Sequence, residues 1–159
     1  MASVDDKSIW PVPLYGDLAD ELLRLTRRKP AMHPDSVLDN SAFTILWVLS
    51  DGRARTLREL TVELDLEQST VNRQVNAAIK QGYLERFAVE GSLSRRIRPT
   101  ERGREAFDHD GLLRAQRLER VFADLSPGTP EALLHELRAY NDAYDRALHR
   151  QDHASRVAR

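Results

Sequence analysis

Polar side chains that can hydrogen-bond to DNA are concentrated in one stretch, residues 68–76. Carboxamide and guanidinium groups can each make two hydrogen bonds to a base edge, whereas hydroxyl groups more often contact phosphate. We therefore expect Arg73 to pair with guanine, and Asn72 or Gln68 with adenine. The alternative is an amphipathic helix whose polar positions face only solvent. The candidate DNA contacts in this stretch are Gln68, Ser69, Thr70, Asn72, Arg73 and Asn76.

Two neighbouring arginines, Arg95 and Arg96, form a second group of candidate DNA contacts. They follow a predicted glycine–serine turn, and guanidinium groups in such places are attracted into a narrow minor groove. Strand alternation with Ile97 facing inward makes Arg96 and Arg98 face outward. Arg95 can then reach DNA only if the strand begins after it.

Residue types needed for common enzyme mechanisms and metal sites are absent or scattered. The chain has no cysteine, which excludes thiol chemistry and thiol-based sensing of oxidants. No nucleophile elbow, phosphate-binding loop, dinucleotide fingerprint or zinc-protease motif occurs. His149 and His153 are spaced for one helix face but have no evident third ligand. We therefore predict no enzyme activity, no cofactor and no metal site.

Positive charge is gathered in one part of the chain, although the 159 residues carry a formal net charge of −1. Residues 53–104 contain 11 basic and 7 acidic residues, whereas the remainder contains 13 and 18. Phosphate binding requires such a local excess, although a solvated arginine surface has it as well. The N-terminus lacks the layout of a signal peptide, and no apolar run approaches the roughly 20 residues of a membrane span. We therefore expect the protein in the cytoplasm.

Two short helices joined by a turn position the polar stretch. Thr56 and Glu59 have the T-x-x-E spacing of a capping box, which begins the first helix. Residues 65–68 form the turn, with Leu66 pointing inward, and Gly82 ends the second helix. The predicted buried stripes are Leu57, Leu60 and Leu64 in the first helix and Val71, Val75, Ala78 and Ile79 in the second.

Strands and further helices surround this pair. Strands are predicted at 83–89 and 95–98, on either side of the turn. A helix that begins within residues 39–41 is apolar around most of its surface and should be central and buried. Other helices are predicted over 14–28, after Thr100 and after Pro130. The last one carries an apolar stripe of Leu133, Leu137, Tyr140, Tyr144 and Leu148.

Four motifs, in this order, make the sequence resemble the MarR family of winged-helix transcriptional regulators. They are LREL at 57–60, STVNR at 69–73, QGYLER at 81–86 and TERG at 100–103. The resemblance covers most of the chain, from about Leu14 to Leu148. The wing is shorter than the family pattern, with Ser94, Arg95 and Arg96 in the place of the family's Asp-Arg pair.

The resemblance implies a mainly α fold with a small β-wing, in which N- and C-terminal dimerisation helices flank a winged helix-turn-helix. It also implies a homodimer that binds an inverted-repeat operator in double-stranded DNA. The long apolar stripe of the last helix supports the dimer independently, with an intrachain contact as the alternative. The predicted divisions are an extended arm at 1–13, a dimerisation helix and linker at 14–36, the DNA-binding domain at 37–104, C-terminal dimerisation helices at 105–150 and a flexible tail at 151–159.

Family members often bind small, frequently aromatic ligands between the dimerisation helices and the DNA-binding part. By this resemblance we expect a repressor that a small-molecule effector releases from DNA. The alternative is a winged-helix protein–protein interaction module without sequence-specific DNA binding. The candidate pocket residues, for each of which core packing is the alternative, are Trp10, Tyr15, Met32, His33, Phe43 and Trp47.

Overall fold

The computed structural model describes residues 11–28 and 32–157, without the side chains of residues 149 and 151–157. The elements are α1 (Pro13–Arg27), α2 (Asn40–Leu49), β1 (Arg55–Thr56), α3 (Leu57–Leu64), α4 (Gln68–Lys80), β2 (Leu84–Phe87), β3 (Arg96–Pro99), α5 (Glu101–Ala123) and α6 (Thr129–Val157). The chain forms two compact units, of which the first ends at Ala106 and the second begins at Phe107. The predicted mainly α fold with a small wing is confirmed.

The core of the first unit forms around α2, which is apolar on most of its surface and therefore central, as predicted. Each fully buried Leu, Ile, Val or Phe side chain contributes roughly 1.5–3 kcal/mol to folding. The buried apolar side chains are Leu38 before α2, Ala42, Phe43, Ile45, Leu46 and Leu49 in α2, Leu60 in α3, Val71, Val75 and Ala78 in α4, and Leu84 and Ile97 in the strands. Trp47 is the exception in α2, because 63% of it remains exposed.

The wing is built on a three-stranded antiparallel sheet of order β1-β3-β2. In β3, Ile97 lies opposite Arg55 of β1 and Arg86 of β2. Ile97 is 1% exposed and anchors the sheet to the helical core, with the inward facing that strand alternation predicted. β1 was not predicted, because a two-residue strand is too short to have a hydrophobic period.

Side-chain caps fix where three helices begin. The Asp39 carboxylate accepts a backbone hydrogen bond at 2.8 Å from the first turn of α2. Thr56 and Glu59 form the predicted capping box, since each side chain accepts a hydrogen bond from the other residue's backbone N–H. The Thr100 hydroxyl accepts from the backbone N–H of Gly103 at 3.0 Å. Such caps stabilise a helix by typically about 1 kcal/mol each.

A close approach between backbones joins the start of α5 to the end of α4. The Thr100 hydroxyl donates to the carbonyl of Gly82 at 2.6 Å, and the Thr100 N–H donates to the carbonyl of Tyr83 at 3.0 Å. A Cβ atom at position 103 would collide with that same Tyr83 carbonyl, so Gly103 has to be glycine.

Several predictions of local structure were wrong. β2 is shorter than predicted, because the N–H of Tyr83 bonds to the carbonyl of Ala78 and closes α4 instead of extending the strand. β3 has the predicted length but begins and ends one residue later than predicted. Leu66 is 42% exposed rather than inward, since Asp65 adopts a left-handed conformation that redirects the chain. The final helix continues to Val157, into the predicted tail, because residues 150–157 contain no glycine or proline that would end it.

The second unit consists of the remainder of α5 and α6. In α6 the predicted stripe exists, and each of its five members is between 38% and 54% exposed. The rings of Tyr140 and Tyr144 stack with centroids 6.2 Å apart. No described helix of either unit is long and apolar enough to cross a membrane.

Candidate nucleic-acid interface

α4 has one buried face and one polar face. Val71, Val75 and Ala78 bury the first face in the core. Residues at spacings of three, four and seven share a helix face, so Ser69, Asn72, Arg73 and Asn76 lie on one surface. The helix thus brings together all six candidates of the stretch, of which Gln68, Ser69, Asn72, Arg73 and Asn76 are exposed and Thr70 is half-buried.

Arg73 has no partner within the described part of the chain. Its side chain is exposed, and it makes no hydrogen bond or ion pair with any residue that the structure describes. Six residues earlier, Glu67 precedes α4 without a side-chain capping bond. Its negative charge interacts favourably with the positive end of the helix dipole but would repel the phosphates of DNA.

Asn72 is held from the neighbouring strand. Nη2 of Arg86, in β2, donates to Oδ1 of Asn72 at 3.0 Å. Nδ2 of Asn76 approaches the same oxygen at 3.5 Å. Three side chains therefore form one chain of contacts across the polar face of α4 and the base of the wing. Arg86 was not among the predicted site residues, because nothing in a linear pattern pairs two residues 14 positions apart.

The wing tip is a short loop, residues 88–95, between β2 and β3. Gly91 has a φ of 76°, which favours glycine, and the Ser92 hydroxyl bonds to both the N–H and the carbonyl of Ser94. Leu93 is fully exposed at this tip, and the sequence analysis missed it. Arg95 is exposed and lies immediately before β3, so the condition for it to reach DNA is met.

The other two wing arginines face outward, but both are bound within the protein. Nη1 of Arg96 donates to the carbonyl of Ala54 at 2.9 Å and lies 3.8 Å from the Glu59 carboxylate. Nε of Arg98 donates to Glu85 at 2.6 Å, and its guanidinium lies 4.5 Å from the centre of the Phe87 ring. Arg96 remains a predicted DNA contact, but it must share its donors with these partners.

A buried arginine ties β1 to the helices behind the wing. Arg55 is 5% exposed, and its guanidinium pairs with both Asp51 and Glu63, while Nη1 also donates to the carbonyl of Arg53 at 2.8 Å. These pairings raise the pKa of Arg55 above its usual range. The Arg55 guanidinium, together with the N–H groups of Arg53, holds the pKa of Asp51 well below its usual range. The free-energy cost of burying this cation is therefore offset by its ion pairs with two carboxylates.

The Glu59 carboxylate links the capping box to the wing. The backbone N–H of Thr56 is the main cause of its lowered pKa, and the Thr56 hydroxyl and the nearby charge of Arg96 lower that pKa further. Glu59 is therefore a firmly ionised partner for Arg96, at the junction of α3 and β3.

The candidate pocket residues have very different environments. Phe43 is 5% exposed in the core, with its ring centroid 6.0 Å from that of Trp47. Tyr15 and Met32 are each more than half exposed. Nδ1 of His33 accepts a hydrogen bond from the N–H of Asp35 at 3.2 Å. Trp10 lies outside the described residues.

Metal ligands do not cluster in the described part of the chain, where no group of three or more histidine and acidic side chains is placed to hold an ion. The side chains of His149 and His153 lie outside the described residues, so their spacing stays a sequence observation.

Comparisons with known proteins find a family-model match within the first unit. Residues 38–92 match the model of the MarR family. No curated protein matches the chain by sequence.

Solved structures share the fold at low sequence identity. A MarR family protein from Bacillus stearothermophilus is 20% identical, with a TM-score of 0.70, over 90% of this chain and 99% of that one. BpsR from Bordetella bronchiseptica, solved in a study of how 6-hydroxynicotinic acid regulates its DNA binding, is 20% identical, with a TM-score of 0.63, over 82% and 99%. FabT from Streptococcus pneumoniae, solved in complex with DNA, is 14% identical, with a TM-score of 0.60, over 85% and 95%.

Proposed function

We propose that the protein, whose residues 38–92 match the model of the MarR family, is a homodimeric, sequence-specific DNA-binding transcriptional regulator. The observation that carries the proposal is the polar face of α4, with its exposed and internally unpaired Arg73. A helix of this kind lies in the major groove and presents its first turns to base edges. The regulators of this family are DNA-binding proteins and not enzymes.

In this proposal α4 recognises the base sequence of the DNA, and the wing provides most of the affinity that does not depend on sequence. Arg73 makes a bidentate contact to guanine, and Gln68 has the matching geometry for adenine. Ser69 and Thr70, near the N-terminus of α4, bind phosphate. Arg95 reaches the minor groove beside the major groove that α4 occupies.

A second copy of the chain completes the DNA-binding unit. A single winged helix makes too few contacts for tight operator binding. The apolar stripe of α6 extends over a helix of 29 residues, about 43 Å long, and its members stay between 38% and 54% exposed. Leu14, Leu18 and Leu25 of α1 are likewise more than half exposed. A stripe of this length is covered when two copies pair through α1 and α6.

Two-fold pairing determines the form of the operator. Each copy places one α4 in a major groove, so the half-sites are related by inversion and lie about 34 Å apart, one turn of DNA. In this proposal the operator overlaps a promoter, so the bound dimer blocks access of RNA polymerase and acts as a repressor in the cytoplasm.

A small aromatic ligand releases the repressor from DNA. In support, DNA binding by the similar protein BpsR is regulated by 6-hydroxynicotinic acid. Tyr15 and Trp47 expose aromatic rings in the first unit, with Met32 and His33 as further contacts. Such a ligand binds more tightly to the dimer conformation in which the spacing of the two α4 helices does not match the DNA. It therefore shifts the population towards the conformation that does not bind DNA.

Selection of binding sites from a random double-stranded DNA library tests this proposal. We expect the full-length protein to enrich an inverted repeat, with an affinity that falls linearly with salt on logarithmic axes as bound phosphates release counterions. Enrichment of no motif, together with salt-independent binding, would support the alternative of a protein-interaction module.

A further inference from the structure

One polar contact on the reading face of α4 has a fixed direction. A guanidinium group carries only donors, so the atom of Asn72 that lies 3.0 Å from Nη2 of Arg86 must be the carbonyl oxygen Oδ1. Asn76 also directs its Nδ2 at that oxygen, from 3.5 Å. The Arg86 donor is the closer of the two, and the weaker approach of Asn76 comes to the same oxygen. The Asn72 carboxamide therefore points its Nδ2 donors away from the wing.

Orientation of the carboxamide changes which base Asn72 can read. A bidentate contact to adenine needs Oδ1 to accept from N6 while Nδ2 donates to N7. With Oδ1 already bound by Arg86, Asn72 is left with donors alone. Guanine, thymine and adenine each offer an acceptor in the major groove, whereas cytosine offers only its N4 donor.

We propose that Arg86 is a positioning residue that orients the Asn72 carboxamide as a donor, so that Asn72 excludes cytosine from one position of each half-site. This inference rests on the proposed DNA-binding function. Arg86 acts from β2 and Asn72 from α4, so the contact also holds the reading helix and the wing in one register. Gln68, rather than Asn72, then makes the contact to adenine that the sequence led us to expect.

The position that Asn72 reads has to be located first. The operator comes from the random-library selection, and every base pair of one half-site is then replaced in turn. Binding is measured for the wild-type protein and for Asn72→Ala. The position at which cytosine is penalised by the wild type, but not by Asn72→Ala, is the one that Asn72 reads.

Arg86→Met tests the orienting contact, because methionine keeps much of the side-chain stem and removes every donor. The wild type should bind the cytosine variant about tenfold more weakly than the preferred operator, and Arg86→Met should reduce this ratio to about twofold. In the Asn72→Ala background, Arg86→Met should leave the ratio unchanged. Arg95→Met is the matched control, since it also removes one charge, and it should lower both affinities without changing their ratio.

A structural measurement supplements these ratios. In the free protein, Arg86→Met should shift the NMR signals of the Asn72 side-chain amide, while the thermal midpoint checks that the variant is folded. A wild type that selects no operator overturns the proposed function and this inference with it. If the wild type binds its operator and Arg86→Met still binds the cytosine variant about tenfold more weakly than that operator, the inference alone is overturned.

Discussion

Individual arginines of the winged helix differ in what already binds them. Arg73 and Arg95 are exposed, whereas Arg96 and Arg98 donate to groups within the protein and Arg55 is buried between two carboxylates. A guanidinium that must leave an internal partner loses that interaction when it binds phosphate, so it contributes less net affinity. We therefore expect Arg73 and Arg95 to dominate DNA binding.

Arg73→Ala should lower operator affinity by about tenfold or more and relax the base preference at one position of each half-site, because a bidentate base contact is worth about 1–3 kcal/mol. Lys80→Ala is the matched control, since Lys80 is an exposed cation at the far end of the same helix. Fluorescence anisotropy with operator variants measures both effects. Equal losses in the two variants, with unchanged base preferences, would mean that Arg73 contacts only phosphate.

Arg95→Ala should weaken binding to all DNA sequences by a similar factor and reduce the slope of affinity against salt by about one, as expected for a lost phosphate or minor-groove contact. Arg98→Ala should lower affinity less, because its guanidinium is held by Glu85 and by the Phe87 ring. Salt titrations of the two variants make the comparison. A larger effect from Arg98 than from Arg95 would place the wing differently on DNA.

Side-chain roles were predictable where the partners are neighbours in sequence. The capping box of Thr56 and Glu59 followed from a spacing of three residues and is present. The inward facing of Ile97 followed from strand alternation. The partners of Arg96 and Arg86 did not follow, because they come from segments 42 and 14 positions away.

Among the helices and strands, β1 depends most on a single side chain. It is two residues long, and Arg55 anchors it to Asp51 at the end of α2 and to Glu63 in α3. No sequence pattern indicated this strand, since its stability comes from the ion cluster of Arg55 and from pairing with β3 rather than from a hydrophobic period. The helices were easier to predict, because apolar spacing and caps are local signals.

Arg55→Met should reduce the free energy of unfolding by about 2 kcal/mol, since it removes the charged hydrogen bonds of the cluster and leaves two carboxylates close together. Urea denaturation measures this change. Arg53→Met is the control, because Arg53 is largely exposed and its ion pair with Asp51 contributes little. Equal stability of the two variants would show that the buried cation does not anchor β1.

Stability should also depend on pH through Asp51. Its pKa is lower in the folded protein than in the unfolded chain, so its ionised form stabilises the fold above the unfolded pKa of about 4. As pH falls below that value the unfolded chain takes up the proton first, and the stabilisation is progressively lost. The difference in unfolding free energy between wild type and Asp51→Asn should therefore shrink as pH falls below about 4. A difference that stays constant down to pH 2 would contradict the ion pairing.

At the scale of the whole molecule, the apolar stripe of α6 is partly exposed. The length of the stripe favoured a second copy as its cover, but its spacing is the same whether a second copy or the chain itself covers it. In the structure the stripe residues remain partly exposed, which favours the second copy.

Leu137→Glu should convert the proposed dimer to a monomer and reduce operator affinity by at least about a hundredfold, because a charge on the stripe opposes burial and each copy then binds one half-site alone. Ala139→Glu adds the same charge on the opposite side of α6, so it should remain dimeric. Analytical ultracentrifugation gives the oligomeric state. A wild type that sediments as a monomer at micromolar concentration would refute pairing through α6.

Hydroxyl-radical footprinting of the full-length protein on its selected operator tests two-fold major-groove binding most directly. The account predicts two protected segments on one face of the duplex, related by inversion and separated by about one helical turn. Arg73→Ala should weaken protection in both segments to the same extent. A single protected segment, or uniform protection without a repeat, would contradict it.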